Sequence, residues 1–155
     1  MKVRLLTVSG RQPRWVGEGC AEYEKRLPRA WRFELVEVKP LARSGSVPRE
    51  KVWQGEAERL RQVIPKGSLV VALDERGASW STARFAQQFD RWRQSGRDLT
   101  FVIGGADGFD PGFRDAADAR LSLSPMTMPH GLVRVVFLEQ LYRAATVLDG
   151  HPYHK

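Results

Sequence analysis

The sequence predicts a single α/β domain, residues 1–155, built on a mainly parallel sheet with flanking helices. Three observations carry this. Strand-like and helix-like segments alternate along the chain, and strands separated by helices need crossovers that leave neighbouring strands parallel. Two strand-like runs, Ser68–Leu73 (SLVVAL) and Leu99–Ile103 (LTFVI), are almost wholly apolar, as strands covered on both faces are. A length of 155 residues suits one core, and 42% hydrophobic with 28% charged residues excludes a disordered or fibrous chain.

The elements follow in order. Lys2–Ser9 (KVRLLTVS) reads as a strand, and Pro13–Leu27 as a helix with its proline in the first turn. Phe33–Lys39 (FELVEVK) alternates apolar and polar residues like a half-exposed strand. Pro40–Pro48 is a Gly/Ser/Pro loop flanked by Lys39 and Arg49 and containing Arg43. Arg49–Ile64 is a polar helix, ended by Pro65-Lys66-Gly67. The strand Ser68–Leu73 precedes a helix over Ser81–Arg93, for which Ser81 or Thr82 is the expected cap. After Leu99–Ile103 come a loop or short helix through Ala117 and a short strand near Arg120–Leu123. The last helix, Pro129–Leu148, is the most apolar. Arg134 points away from Glu139, Gln140 and Arg143 on its wheel, so no broad polar face remains. Burial on more than one side is therefore expected, and a second copy of the chain is the expected cover, in a twofold homodimer.

Charge narrows the function classes. The net charge is +7; residues 1–66 carry 15 Lys and Arg against 8 Asp and Glu, whereas residues 67–155 carry 10 of each. Arginine outnumbers lysine 19 to 6, which reflects either base composition or a phosphate-binding surface. The regional surplus favours nucleic acid, with Arg11, Arg14, Arg26 and Arg29 as candidate RNA contacts. Trp15 and Trp31 flank the same basic stretch, whereas Trp53, Trp80 and Trp92 read as packing residues. No apolar run approaches a membrane span, and Met1–Gln12 has too short an apolar stretch for a signal peptide. A cytoplasmic protein without a membrane partner is expected. Cys20 is the single cysteine, and His130, His151 and His154 show no zinc-ligand spacing, so no metal is expected.

Ligands of a parallel sheet bind beyond the carboxyl ends of its strands. Three segments meet that condition: Asp74–Gly77, Gly104–Gly108 and the charge-free start of the run Leu123–His130. Their glycines allow close backbone approach to a ligand, with Gly104 and Gly105 as the chief candidates. The glycine run is not G-x-G-x-x-G, and neither a Walker P-loop nor a G-x-S-x-G elbow is present. Dinucleotide oxidoreductases, P-loop nucleotidases and elbow hydrolases are thereby disfavoured.

Five ordered segments then carry a resemblance: LDERG (Leu73–Gly77), FVIGGADG (Phe101–Gly108), SLSPMTMPH (Ser122–His130), EQLYRA (Glu139–Ala144) and HPYHK (His151–Lys155). Together they resemble the bacterial ribosomal RNA large subunit methyltransferase H family, within the SPOUT superfamily of knotted methyltransferases. The resemblance covers essentially the whole chain. Met128 stands where the family commonly has leucine, and Ala106–Phe113 falls in a variable region. The resemblance implies a C-terminal trefoil knot, S-adenosylmethionine bound within it, and a homodimer. It implies methylation of N3 of a pseudouridine in 23S rRNA, facing the decoding centre of assembled ribosomes. Cofactor contacts carried over to this chain are Leu73, Gly104 and the run Leu123, Ser124, Pro125, Met126, Thr127 and Met128.

The residues themselves are compatible with that chemistry. A sulfonium methyl donor needs no metal, only an apolar slot with backbone amides and an acceptor held in line. The pseudouridine imide is weakly acidic, so its proton needs an acceptor, and His154 is the first candidate. Tyr153 is a candidate to stack on the base, and Arg143 to hold a phosphate or base carbonyl. Plainer accounts exist for each: a loose terminal tail for His154 and Tyr153, and a helix pair with Glu139 for Arg143. His130, next to Pro129, has a plainer account still, as a residue that holds its loop. Two other functions remain open at this point: a noncatalytic RNA-binding or ribosome-associated module, and a methyltransferase acting on a different RNA.

Overall fold

The computed structural model describes residues 1–154; Lys155, the last residue of the HPYHK segment, lies outside the described residues. The chain runs β1 (Val3–Val8), α1 (Arg14–Glu24), β2 (Glu34–Val38), α2 (Arg49–Val63), β3 (Leu69–Ser79), α3 (Thr82–Gln94), β4 (Leu99–Ile103), α4 (Pro111–Ala116), β5 (Ala119–Ser122) and α5 (His130–Leu148). Single 3-10 turns at Arg29–Trp31 and Pro152–His154 complete it. The five strands form one sheet of order β2-β1-β4-β3-β5, and every neighbouring pair is parallel.

Side chains of successive strand residues face opposite sides, and the core divides accordingly. Val3 and Leu5 of β1, Val71 and Leu73 of β3, and Leu99, Phe101 and Ile103 of β4 meet α1, α3 and α5 through Val16, Phe85, Phe89, Phe137, Leu138 and Leu141. Leu6, Val8, Ala72 and Val102 face the other way, onto Ala57 and Leu60 of α2 and Phe113 of α4. All five residues of β4 are therefore buried, which is why LTFVI shows no alternation.

Local chemistry sets the helix starts. The Ser81 hydroxyl accepts a hydrogen bond from the Arg84 amide at 3.1 Å, so Ser81, not Thr82, caps α3. The Asp110 carboxylate caps α4, accepting from the Phe113 amide at 2.9 Å, with Pro111 in the first turn.

β3 departs from expectation. It does not end at Leu73 but continues to Ser79. Leu73 and Ala78 both pair with Leu121, so the intervening residues bulge out and the strand resumes against β5. Gly77 makes this possible: a Cβ there would lie 2.8 Å from the Arg120 and Leu121 backbone. Asp74–Gly77 is thus a bulge within a strand rather than a loop after one.

α5 packs against α1 and α3. Its buried stripe includes Gly131, Arg134, Phe137, Leu138, Leu141 and Ala145. Arg134 faces inward and is 3% exposed, donating to the Ser9 hydroxyl and to Glu37 at 3.3 Å. Val133, Val135 and Val136 stay half-buried and Leu132 is exposed, so part of the helix's apolar surface is uncovered by its own chain. Among the described residues no helix is long and apolar enough to cross a membrane.

Candidate active site

The carboxyl-end segments converge as the sheet topology requires. β4 lies beside β3, and β3 beside β5, so the bulge of β3, the turn after β4 and the loop after β5 share one edge. They enclose a cleft of about 660 Å³, a size typical of small-molecule sites. Leu73, Gly104, Gly105, Leu123, Ser124, Met126, Thr127 and Met128 line it. Pro125 is exposed and is not among the lining residues.

Polar contacts fix the cleft walls. The Thr127 hydroxyl donates to the Glu75 carboxylate at 3.1 Å, joining the loop after β5 to the bulge of β3. The Ser124 hydroxyl accepts from the Met126 amide at 3.0 Å. His130, at the start of α5, has Nε2 at 2.7 Å from the Gly104 carbonyl oxygen. A carbonyl only accepts, so Nε2 carries the hydrogen and Nδ1 is the bare nitrogen. That Nδ1 is shut off from solvent with no partner among the described residues. Burial, aided by the Arg134 charge, pushes the His130 pKa down against the raising effect of the Gly104 bond, which keeps the imidazole neutral.

Asp74, Glu75, Arg76, Asp107 and Arg49 also line the cleft. Asp74, Glu75, Arg76 and Asp107 stand in the segments after the buried strands, which is the signal the sequence offers for them; Arg49, at the start of α2, reaches the cleft through packing that periodicity does not reveal. Among the described residues no cluster of three or more His, Cys, Asp or Glu is arranged to hold a metal ion.

The candidate catalytic residues lie elsewhere on the chain. Arg143 makes a forked pair with Glu139, its Nε 3.2 Å from both oxygens and its Nη2 2.6 Å from Oε2. The Tyr153 hydroxyl donates to the same Oε2 at 3.0 Å, and its ring lies against Tyr142, centroids 4.6 Å apart. The Arg143 guanidinium sits 5.0 Å from the Tyr153 ring centre. Burial raises the Glu139 pKa, but the Arg143 and Tyr153 hydrogen bonds outweigh it and hold the carboxyl below its usual range. Burial and the Glu139 bond push the Tyr153 phenol up, so it stays a donor. His154 follows Tyr153 in the chain and is half-buried. The tail is therefore docked on α5, not loose. None of Arg143, Tyr153 or His154 lines the cleft. Arg143 is 13 residues beyond His130 in α5, or about 20 Å along the axis at 1.5 Å per residue.

The candidate RNA contacts are all exposed. Arg11 and Arg14 sit at the amino end of α1, and Arg26 and Arg29 beyond its carboxyl end, so they form two groups rather than one patch. Arg14 pairs with Glu18 at 2.9 Å and Arg26 with Glu22. Trp15 is 51% exposed, whereas Trp31 and Trp92 are buried.

Comparison with known proteins decides the family. The model described as predicted SPOUT methyltransferase matches residues 1–154. The chain belongs to the SPOUT methyltransferase family. As a member of that family it is a methyltransferase. Two relatives, each called ribosomal RNA large subunit methyltransferase H, come from Burkholderia ambifaria and Burkholderia vietnamiensis. Both are 48% identical over 155 residues, covering 100% of this chain and 99% of theirs. A solved structure, described as a probable methylase family protein from Haemophilus influenzae, superposes with a TM-score of 0.62. It shares 11% identity and the match covers 96% of this chain and 66% of that one, so it bears on the fold alone. The cleft and the docked tail are thus features of a SPOUT methyltransferase.

Proposed function

We propose that the protein transfers a methyl group from S-adenosylmethionine to N3 of a pseudouridine in 23S rRNA, acting as a homodimer on assembled ribosomes in the cytoplasm. The 48% full-length identity to large-subunit ribosomal RNA methyltransferases supports the RNA class. The observation that carries the geometry is the separation of the cleft from the Arg143–Tyr153–His154 cluster within one chain. A second copy, packed against the uncovered side of α5, brings one protomer's tail to the other's cleft. In this reading the chain between β4 and α5 forms the trefoil knot that holds the donor.

The cleft residues fit the donor. Leu73, Ile103 and Leu123 offer apolar surface to an adenine, Gly104 and Gly105 allow close backbone approach, and Asp74, Glu75 and Asp107 bring negative charge near a cationic sulfonium. The donor supplies an electrophilic methyl group whose departure leaves a neutral thioether. The protein's residues do the rest. Tyr153 stacks on the base. Arg143 uses the N–H groups not committed to Glu139 to hold a base carbonyl or phosphate. His154 accepts the proton released from N3 as that nitrogen forms its bond to carbon. Arg11, Arg14, Arg26 and Arg29 hold RNA backbone.

The test is methyl transfer from isotope-labelled S-adenosylmethionine to assembled ribosomes, free subunits and free 23S rRNA, followed by nucleotide mapping. Label at a pseudouridine N3 in ribosomes is the expected result. Label in a different RNA, or none despite donor binding, would replace this reading by one of the two alternatives.

A further inference from the structure

Glu56 is a charged residue in the wrong place for its pattern. It lies on α2 among the buried residues Val52, Ala57 and Leu60, and is itself 5% exposed. One carboxylate oxygen, Oε2, accepts from the Leu41 amide at 3.1 Å. The other, Oε1, is shut off from solvent and has no hydrogen-bond partner among the described residues. Buried polar atoms are nearly always paired, so an orphaned carboxylate oxygen calls for an explanation.

Its position supplies one. Oε1 lies directly beneath the cleft's glycine turn: a Cβ on Gly105 would be 2.5 Å from it. A cavity of about 10 Å³ adjoins it, lined in part by Trp53, Gly104, Gly105, Gly108 and Phe109. Neighbouring residues of α2 grip both flanking loops. The Trp53 indole N–H donates to the Asp107 carbonyl at 2.9 Å. The Arg59 guanidinium donates to the Lys39 and Pro40 carbonyls at 2.8 and 2.9 Å, and Arg43 of the basic loop pairs with Asp107. Positions three residues apart share a helix face, so one face of α2 brackets the basic loop and the cleft's glycine turn together.

We propose that Glu56 is a positioning residue for the methyl-donor site: its Oε1 is the acceptor for a peptide N–H of the Gly104–Gly108 turn in the donor-bound arrangement. Donor binding then ties that turn to the basic loop through the two oxygens of one side chain. This rests on the reading of the cleft as the S-adenosylmethionine site. In this arrangement the two backbone N–H groups approach different oxygens of the carboxylate, and glutamine would set an NH2 donor against one of them. Burial raises the Glu56 pKa; the Leu41 amide lowers it, Asp107 raises it, and Arg59 and Arg43 lower it. Asp107, Arg59 and Arg43 are the charged groups facing it; burial, the largest influence, leaves the pKa raised, and a proton added on acidification would occupy an acceptor.

The experiment is calorimetric titration of S-adenosylmethionine into wild-type protein, Glu56→Gln and Glu56→Ala, with thermal unfolding of each. Donor affinity about tenfold weaker in Glu56→Gln, the scale of one lost charge-assisted hydrogen bond, is expected with little change in unfolding temperature. Acidification should weaken wild-type affinity more than Glu56→Gln affinity; dependence shared by both belongs to other groups, His130 foremost. If wild-type protein binds no S-adenosylmethionine, the reading of the cleft fails and this inference with it. If wild-type protein binds and both variants match it at every pH, the inference alone is overturned. If Glu56→Gln and Glu56→Ala do not fold, Glu56→Asp decides, because it keeps the charge but draws the oxygens back by one methylene. Weakened donor affinity in Glu56→Asp supports the role of Glu56, and unchanged affinity overturns it.

Discussion

His130 and Gly104 join the two loops that form the cleft: the imidazole Nε2 at the start of α5 lies 2.7 Å from the carbonyl oxygen that follows β4. The protonated ring can donate this bond as well as the neutral one, but burial penalises the charged form more than the bond favours it. The folded-state pKa is depressed below the ordinary histidine value of 6.5. The stabilisation is therefore complete above that value and lost as pH falls through it, because the unfolded chain binds the proton first. Wild-type unfolding temperature should fall on acidification below this value more steeply than that of His130→Gln. Parallel pH profiles for the two proteins would contradict this.

Gly105→Ala places a methyl carbon 2.5 Å from a buried carboxylate oxygen of Glu56, so the turn or the carboxylate must shift. A cost of about 1–3 kcal/mol, as for overpacking elsewhere, is expected in denaturant titration. S-adenosylmethionine affinity should drop as well, while the fold survives. The bulkier Gly105→Val should show both effects more strongly. Normal donor binding in both variants would make the second glycine a turn residue only.

Neutralising Arg11, Arg14, Arg26 and Arg29 together should weaken ribosome binding and flatten its dependence on salt, because each phosphate contact contributes to the slope. The surface pairs of Arg14 with Glu18 and Arg26 with Glu22 are worth roughly 0–1 kcal/mol each, too little to withhold these side chains from RNA. Donor affinity should hardly move, since none of the four lines the cleft. Binding that is unchanged across a salt series would refute the role.

Mixing tests the shared site. A protomer defective at Gly105 is combined with one defective at His154, after co-expression to let dimers assort. With random assortment about half the dimers are mixed and each has one intact site, so about a quarter of wild-type activity should return. A monomer in sedimentation at micromolar concentration would remove the dimer itself. A dimer without rescue would remove only the shared site.

Much of this molecule is determined by local chemistry and is legible from the sequence. Leu99–Ile103 is apolar at every position but Thr100 because β4 is covered on both faces, and Ser81 announces the start of α3 because a hydroxyl there meets a free amide. The clustering of Leu73, Gly104 and all of Leu123–Met128 except Pro125 follows from the shared carboxyl edge of a parallel sheet. Other features depend on partners remote in sequence, and only the tertiary structure decides them. β3 resumes after its bulge because β5 offers Leu121 and Ser122 to pair with, which no property of Asp74–Gly77 announces. Arg134 turns inward because Ser9 and Glu37, more than 90 residues away, accept its hydrogen bonds; a helical wheel sees only its own helix. Glu56 reads as one more polar residue on a polar helix until the glycine turn after β4 closes over it. The tail motif is visible as a motif, but its docking on Glu139 and Tyr142 sets it apart from its own chain's cleft, because the length of α5 separates the two.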